Sequence, residues 1–445
     1  MEFGKHIGKG IWGFADKGLP AIYGVAFMFI VVRHLPAEEY GAFLLFQSVF
    51  LLVTALGYSF TIQPMLKYVA EGLDVKNISS AAFLLLVILI SFVVCMILIF
   101  IKPLAMLLDA QHSEKVRSLF WYLPIVFAAT IYRLIAAGLL QARFEIKKLF
   151  YVDAWYYGLS LLIILAAKYF GLLTSAEIVV QTLIVASLFA SIVSYFLSRH
   201  IAVPSVRWEP ESAKKILSYG KFGLLNNVGY LVQTQFDTFI LSYFGGVAGV
   251  AAYGAAKIFT RVFDMYAQVI QTLVIPASSM LKGRNEEGKL SSLVEKSICF
   301  SFYAIIPVMI IFAIFPKQLF SIIYGGRYTE SIPILRILTI TALFVPWTNV
   351  ISSVLYGIGK VRTGSILSLI MLFLSFGAYI GLGSMMGMQG IIWGVVCVQL
   401  VMTMIGIFLL KQTTPFTIIS TLRRTKDIVD FVKRKGWFRR SSSGV

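Results

Sequence analysis

Lys257, Arg261 and Asp264 stand in a stretch, 248–281, that is otherwise almost wholly apolar. Spacings of four and three residues put all three on one face of a helix. An ammonium beside a guanidinium attracts a phosphate or another oxyanion, and a carboxylate one turn away holds the two basic groups in place. That reading makes the face a cationic substrate site. The same three groups could instead neutralise one another as a structural network between helices.

Other ionisable and polar residues interrupt apolar runs in the same way. Asn226, Asn227, Gln233, Gln235 and Asp237 form a polar stripe on 219–243. It reads either as the wall of a water-filled cavity or as a set of interhelical hydrogen bonds. Asp16 and Lys17 lie in the first apolar run, ahead of Pro20. Adjacent residues point about 100° apart on a helix, so one of them can pair across helices while the other lines a lumen; snorkelling is the alternative for Lys17. Arg133 and Arg336 sit singly in two further runs, where interhelical anchoring explains them adequately. Each such charge costs about 2.5–3.5 kcal/mol if it faces lipid at the bilayer centre, so all of them should face a bundle interior or a wet cavity.

No catalytic or metal constellation accompanies them. Cys95, Cys299 and Cys397 are far apart inside apolar runs, and His6, His34, His112 and His200 fall in loops or near ends without ligand spacing. There is no P-loop, GxSxG or HExxH pattern. The chain is therefore read as no enzyme, with no cofactor and no metal.

The elements that must position these residues follow from composition. Of 445 residues 58% are hydrophobic and 13% charged, and the formal net charge is +18. So few charges cannot clothe a soluble globule of this size. A soluble enzyme, a disordered chain and a nucleic-acid binder are set aside; the partner implied is the bilayer. Runs long enough to span delimit twelve helices, at roughly 11–33, 41–66, 81–102, 118–140, 150–172, 177–198, 219–243, 248–280, 297–323, 332–357, 363–382 and 389–410. The gaps between them alternate in charge, with 26 Lys/Arg on one side and 7 on the other. By the positive-inside rule both termini are cytoplasmic, which an even number of spans requires.

The chain also repeats. Tyr40-Gly41-Ala42 recurs as Tyr253-Gly254-Ala255, Pro64 as Pro276, and Lys102-Pro103-Leu104 as Lys317-Gln318-Leu319. The near-constant offset spans six helices, so the two copies run in the same direction. The expected organisation is an N-terminal six-helix bundle (1–198), a cytoplasmic linker (199–218), a C-terminal six-helix bundle (219–413) and a basic cytoplasmic tail (414–445). Leu422, Val429 and Val432 recur among six Lys/Arg in that tail, the pattern of a helix lying on an anionic leaflet. Trp121-Tyr122, Trp155-Tyr156-Tyr157 and Trp208 read as interfacial belt residues.

With its second span opened by Tyr40-Gly41 and closed by Lys67-Tyr68-Val69-Ala70-Glu71, and the opening repeated at Ala252-Tyr253-Gly254, the chain resembles the multidrug/oligosaccharidyl-lipid/polysaccharide exporter superfamily over about 1–413. Within it the chain resembles the polysaccharide-biosynthesis branch, the O-antigen-type oligosaccharide flippases. The resemblance implies an all-α inner-membrane protein whose two parallel six-helix repeats surround a central cavity lined by spans 1, 2, 7 and 8. It implies movement of an undecaprenyl-pyrophosphate-linked glycan to the outer leaflet by alternating access, with a polysaccharide polymerase and glycosyltransferases as partners. Lys257, Arg261 and Asp264 fall on the matching eighth span. The second span carries no charge, so such a cavity is asymmetric. Two other readings remain: a cation-coupled multidrug exporter of the same superfamily, which should prefer an acidic and aromatic cavity, and a non-transporting scaffold of an envelope-assembly complex.

Overall fold

The computed structural model describes residues 3–109, 111–206, 208–414 and 416, without the side chains of 3–11, 13–14, 222–234, 268, 272 and 361. The described residues are helical apart from turns and short loops. The first six spans are α1 (Phe3–Phe27), α2 (Ala37–Gly57), α3 (Val75–Ile99), α4 (Leu123–Ala142), α5 (Ile146–Tyr169) and α6 (Ala176–Ser198). A single π turn extends α1 (Met28–Val32) and another extends α2 (Tyr58–Ile62). Local chemistry sets several ends. The Asp74 carboxylate accepts from the backbone N–H of Lys76 and Asn77 and caps α3. A proline occupies the first turn of α4, where its missing N–H does no harm.

Helical structure then runs continuously over Pro210–Gly283, with a break at Gly246, whose φ of 60° and ψ of −172° belong to no helix. Only glycine adopts that conformation without strain. The break separates α7 (210–245) from α8 (247–283). After it come α9 (Glu287–Ile314), α10 (Val345–Gly357), α11 (Val361–Met386) and α12 (Met388–Lys411). Gly387, at φ 59°, divides the charge-free run 363–410 into the last two. Among the described residues ten helices are long and apolar enough to cross a membrane, or eleven with the bent pair Thr329–Leu343 and Val345–Gly357 counted as one span. One of the ten is Gln235–Gly283, which contains the Gly246 break. The sequence places two spans, 219–243 and 248–280, on either side of this break.

Two local expectations change. The segment 199–218, read as a polar loop, becomes helical from Pro210, because proline in a first turn followed by Glu211, Ala213, Lys214 and Lys215 is a strong helix start. The expected surface helix of the tail lies outside the described residues.

Packing divides the chain into two units, Met1–Ala255 with Phe320–Thr329, and Ala256–Leu319 with Glu330–Val445. In the first, α4 and α5 both pack on α6, α1 packs on α5, and α3 on α4. The start of α2 meets the start of α8 through repeat-related glycines. Gly41 lies against the Val247 carbonyl and Gly254 against the Leu44 side chain, so closely that neither has room for a Cβ. The segment Phe320–Thr329 closes over this crossing: the Tyr324 hydroxyl donates to the Ala255 carbonyl at 2.9 Å and Arg327 to the Arg33 carbonyl at 2.8 Å. In the second unit α11 packs on α12, α12 on α10 and α10 on α9. Phe259 of α8 meets Phe312 of α9 edge to face, and Phe263 packs on the same ring at a tilt.

Candidate functional site

Lys257, Arg261 and Asp264 occupy one side of α8, as their spacing requires. The opposite side is the packed one: Phe259, Phe263, Ala267, Ile270 and Val274 are all buried. Lys257 is half-buried, and Arg261 and Asp264 are exposed. The three charged groups thus share the side of α8 that is turned away from its packed face. An accessible cation pair with a carboxylate beside it can receive an oxyanion and be reset by the carboxylate when the anion leaves.

The polar stripe of the seventh span behaves differently. The side chains of Asn226, Asn227 and Gln233 lie outside the described residues, and Gln235 is half-buried. Asp237 is buried and hydrogen-bonded. It is 5% exposed, and its carboxylate accepts the Tyr253 hydroxyl at 2.5 Å and the Thr238 N–H at 2.7 Å. The chain reversal at Gly246 brings α8 back alongside α7, which delivers Tyr253 to Asp237. This is the interhelical alternative raised by the sequence.

A second cluster forms inside the first unit. Arg133 of α4 donates through Nη1 to Asp153 Oδ1 of α5 at 2.9 Å, and its guanidinium lies 4.1 Å from the centre of the Tyr156 ring. Asp16 of α1 is buried at 5% exposure, its Oδ1 without a hydrogen-bond partner among the described residues; the charges acting on it are Asp153 and Lys17. Tyr23 hydrogen-bonds Ser160 at 3.0 Å and packs on Tyr157 at 5.2 Å between ring centres. Lys17 turns outward and is exposed, so the adjacent pair divides as the helical geometry demands. Arg336 is exposed and joins neither cluster.

Sequence reasoning passed over Asp153 and read Tyr156 and Tyr157 as interfacial belt residues. Of the expected interfacial aromatics, Trp121, Trp155 and Trp208 are about half exposed, but Tyr156 is buried and Tyr157 stacks inside the bundle at 4.9 Å from it. The signal was present: Asp153, Tyr156, Tyr157 and Ser160 recur at three, four and seven residues, one helical face with a charge in it.

Residues 30–333 match the family described as polysaccharide biosynthesis protein. The chain belongs to that family. A relative in Haloferax volcanii, named "Probable low-salt glycan biosynthesis flippase Agl15", is 22% identical over 330 residues, 71% of this chain and 66% of its own. Another, in Shigella flexneri, is named as an O-antigen transporter and is 27% identical over 183 residues, 41% of this chain and 43% of its own. The match thus spans about two thirds of the first relative and under half of the second. Among solved structures, the lipid II flippase MurJ in an inward closed conformation superposes with a TM-score of 0.73 at 14% identity, over 98% of this chain and 94% of that one. The fold is accordingly shared with that structure, and the ten or eleven apolar helices make this a multi-pass membrane protein. The named relatives here are transporters and flippases, not enzymes.

Proposed function

We propose that the chain is a flippase for a lipid-linked oligosaccharide, carrying an undecaprenyl-pyrophosphate glycan from the cytoplasmic to the outer leaflet. The observation that supports this most is the accessible Lys257–Arg261–Asp264 face on α8. Charges near the middle of a span do not face acyl chains cheaply, so this face belongs to an aqueous cavity. Its two cations suit the pyrophosphate, while the glycan is handled by neutral polar and aromatic groups. The lipid tail stays in the bilayer.

The two six-helix repeats, 1–198 and 219–413, rock about the cavity to expose it to either side in turn. Both termini and the linker face the cytoplasm. An inside-negative potential favours outward passage of an anion by about 2.3 kcal/mol per charge per 100 mV. Coupling to an ion through Asp16, Asp237 or Asp264 fits this scheme. The glycosyltransferases that build the cargo and the polymerase that extends it are the partners this reading calls for.

The test is flipping of a fluorescent lipid-linked oligosaccharide by purified protein in proteoliposomes. Arg261→Glu is expected to abolish flipping while membrane level and melting temperature stay unchanged. Flipping at the normal rate would remove the α8 face from the mechanism. Efflux of cationic dyes by the same vesicles, with no glycan movement, would instead assign a multidrug exporter.

A further inference from the structure

A shallow, open cavity of about 460 Å³ lies where the linker enters α7, lined by Trp208, Pro210, Ala213, Lys214, Leu217, Ser218 and Lys221. We infer that it seats the phosphate headgroup of an anionic membrane phospholipid, on the side that the Lys/Arg count assigns to the cytoplasm.

The geometry begins with how α7 is held. Ala213 and Ile216 are buried, and Gly220 lies so close to the Phe60 carbonyl that a Cβ there would collide. These positions, at three and seven residues, form the packed face of the first turns of α7. Lys67, on the segment that follows α2, places its Nζ 4.4 Å from the centre of the Tyr219 ring. The end of the second span thus fixes the rotation of α7. Lys214, Leu217, Ser218 and Lys221 consequently form an exposed stripe, and Trp208 on the preceding loop completes the wall.

The chemistry of that wall is two-sided. Lys214 and Lys221 supply ammonium donors and Ser218 a hydroxyl, and no carboxylate is among the described lining residues. Glu209 and Glu211 lie a turn earlier, at the start of the helix, where the backbone dipole favours them. The remaining surface is apolar: Trp208 is 50% exposed, Leu217 37%, and Val206 on the approaching loop 80%. A free phosphate has no use for that apolar surface. A phospholipid does, because its headgroup reaches the lysines while its glycerol and first methylenes cover Trp208 and Leu217. Tryptophan and lysine are also the residues that settle at headgroup depth. The site lies apart from the α8 face and does not depend on the transport reading.

The experiment uses the full chain in neutral detergent micelles and reads the part of the tryptophan fluorescence lost in Trp208→Phe. Brominated phosphatidylglycerol is expected to quench that part at a mole fraction about fivefold or more below brominated phosphatidylcholine. The double variant Lys214→Gln/Lys221→Gln should erase the preference while elution volume and melting temperature match the parent. Added inorganic phosphate should leave the quenching in place. Equal quenching by the two lipids, or a preference that survives in the double variant, would overturn the inference. Full displacement by inorganic phosphate would also overturn it, reassigning the cavity to a free anion.

Discussion

The Arg133 guanidinium donates to Asp153 at 2.9 Å while lying over the Tyr156 ring, 4.1 Å from its centre. One cation thus joins α4 to α5 by two interactions of different kind, and Asp16 of α1 stands beside the pair. The side chains of Arg133 and Asp153 are 13% and 21% exposed, so each partner depends on the other for compensation.

Removing one partner should therefore harm more than removing both. Arg133→Leu leaves Asp153 beside Asp16 with no cation, a loss of about 3 kcal/mol or more for a buried pair. Asp153→Asn strands the guanidinium but keeps its stacking on Tyr156. The double variant Arg133→Leu/Asp153→Asn is expected to melt above Arg133→Leu alone. Thermal unfolding of the four proteins in detergent closes the cycle. Additive losses would mean that the ion pair carries no coupling.

Tyr253 gives a smaller and cleaner case. Its hydroxyl donates to the buried Asp237 carboxylate at 2.5 Å. Tyr253→Phe keeps the ring and its packing but takes away that donor. A buried acceptor deprived of a partner costs about 1–3 kcal/mol, so the variant should unfold several degrees lower. Tyr243→Phe, on an exposed ring of α7, is the matched control and should change nothing. Equal melting temperatures would show that the α7–α8 hydrogen bond contributes no stability.

The spans were legible because charge-free runs of about 20 residues have one physical solution in a bilayer. The turn between α11 and α12 was legible too, since Gly387 stands in an otherwise unbroken run. The reversal at Gly246 was marked in the same way, by the boundary between 219–243 and 248–280. What sequence could not supply is rotation about each helix axis. Asp16, Arg133 and Asp153 are each visible as charges in apolar runs, but their meeting depends on how α1, α4 and α5 turn toward one another. Asp237 shows the same gap from the other side: its partner Tyr253 is sixteen residues away and becomes a neighbour only after the chain reverses. The Lys257–Arg261–Asp264 face needed no second helix and could be drawn from spacing, as could the Asp153–Tyr156–Tyr157–Ser160 face of α5.

Asp109, at the end of the short helix Ile101–Leu108 that follows α3, ties that helix end to the α7–α8 reversal. Its Oδ2 accepts the Val247 N–H at 2.8 Å, and its Oδ1 accepts those of Gln111 and His112 at 2.8 and 3.0 Å. Burial by itself would push this carboxyl up, but these donors and the His112 ring outweigh it and hold it below the usual carboxylate range. A depressed native value means that the unfolded chain binds the proton more readily. The clasp therefore stabilises fully above the unfolded value, near pH 4, and fades as pH falls through the native one. Asp109→Asn should melt below the parent at pH 7, and the gap should narrow below about pH 4. A gap independent of pH would show that charge on Asp109 is not what holds the reversal.

Gly41 and Gly18 make a paired test of how tightly the repeat-related helix starts are packed. A Cβ on Gly41 would fall on the Val247 carbonyl, whereas one on Gly18 would meet nothing within 4 Å. Both glycines sit in helices, where alanine by itself is favoured by about 0.5–1 kcal/mol. Gly18→Ala should thus be neutral or slightly stabilising. Gly41→Ala must move backbone against backbone, and overpacking of this kind costs about 1–3 kcal/mol, enough to reverse the sign. The second repeat is more forgiving, because Gly254 faces the end of the flexible Leu44 side chain, and Leu44→Ala should rescue Gly254→Ala. No neighbouring side-chain truncation should rescue Gly41→Ala, since its obstacle is a carbonyl. Melting curves of these variants decide the matter: a Gly41→Ala protein as stable as the parent would show that α2 and α8 do not hold this crossing in the membrane.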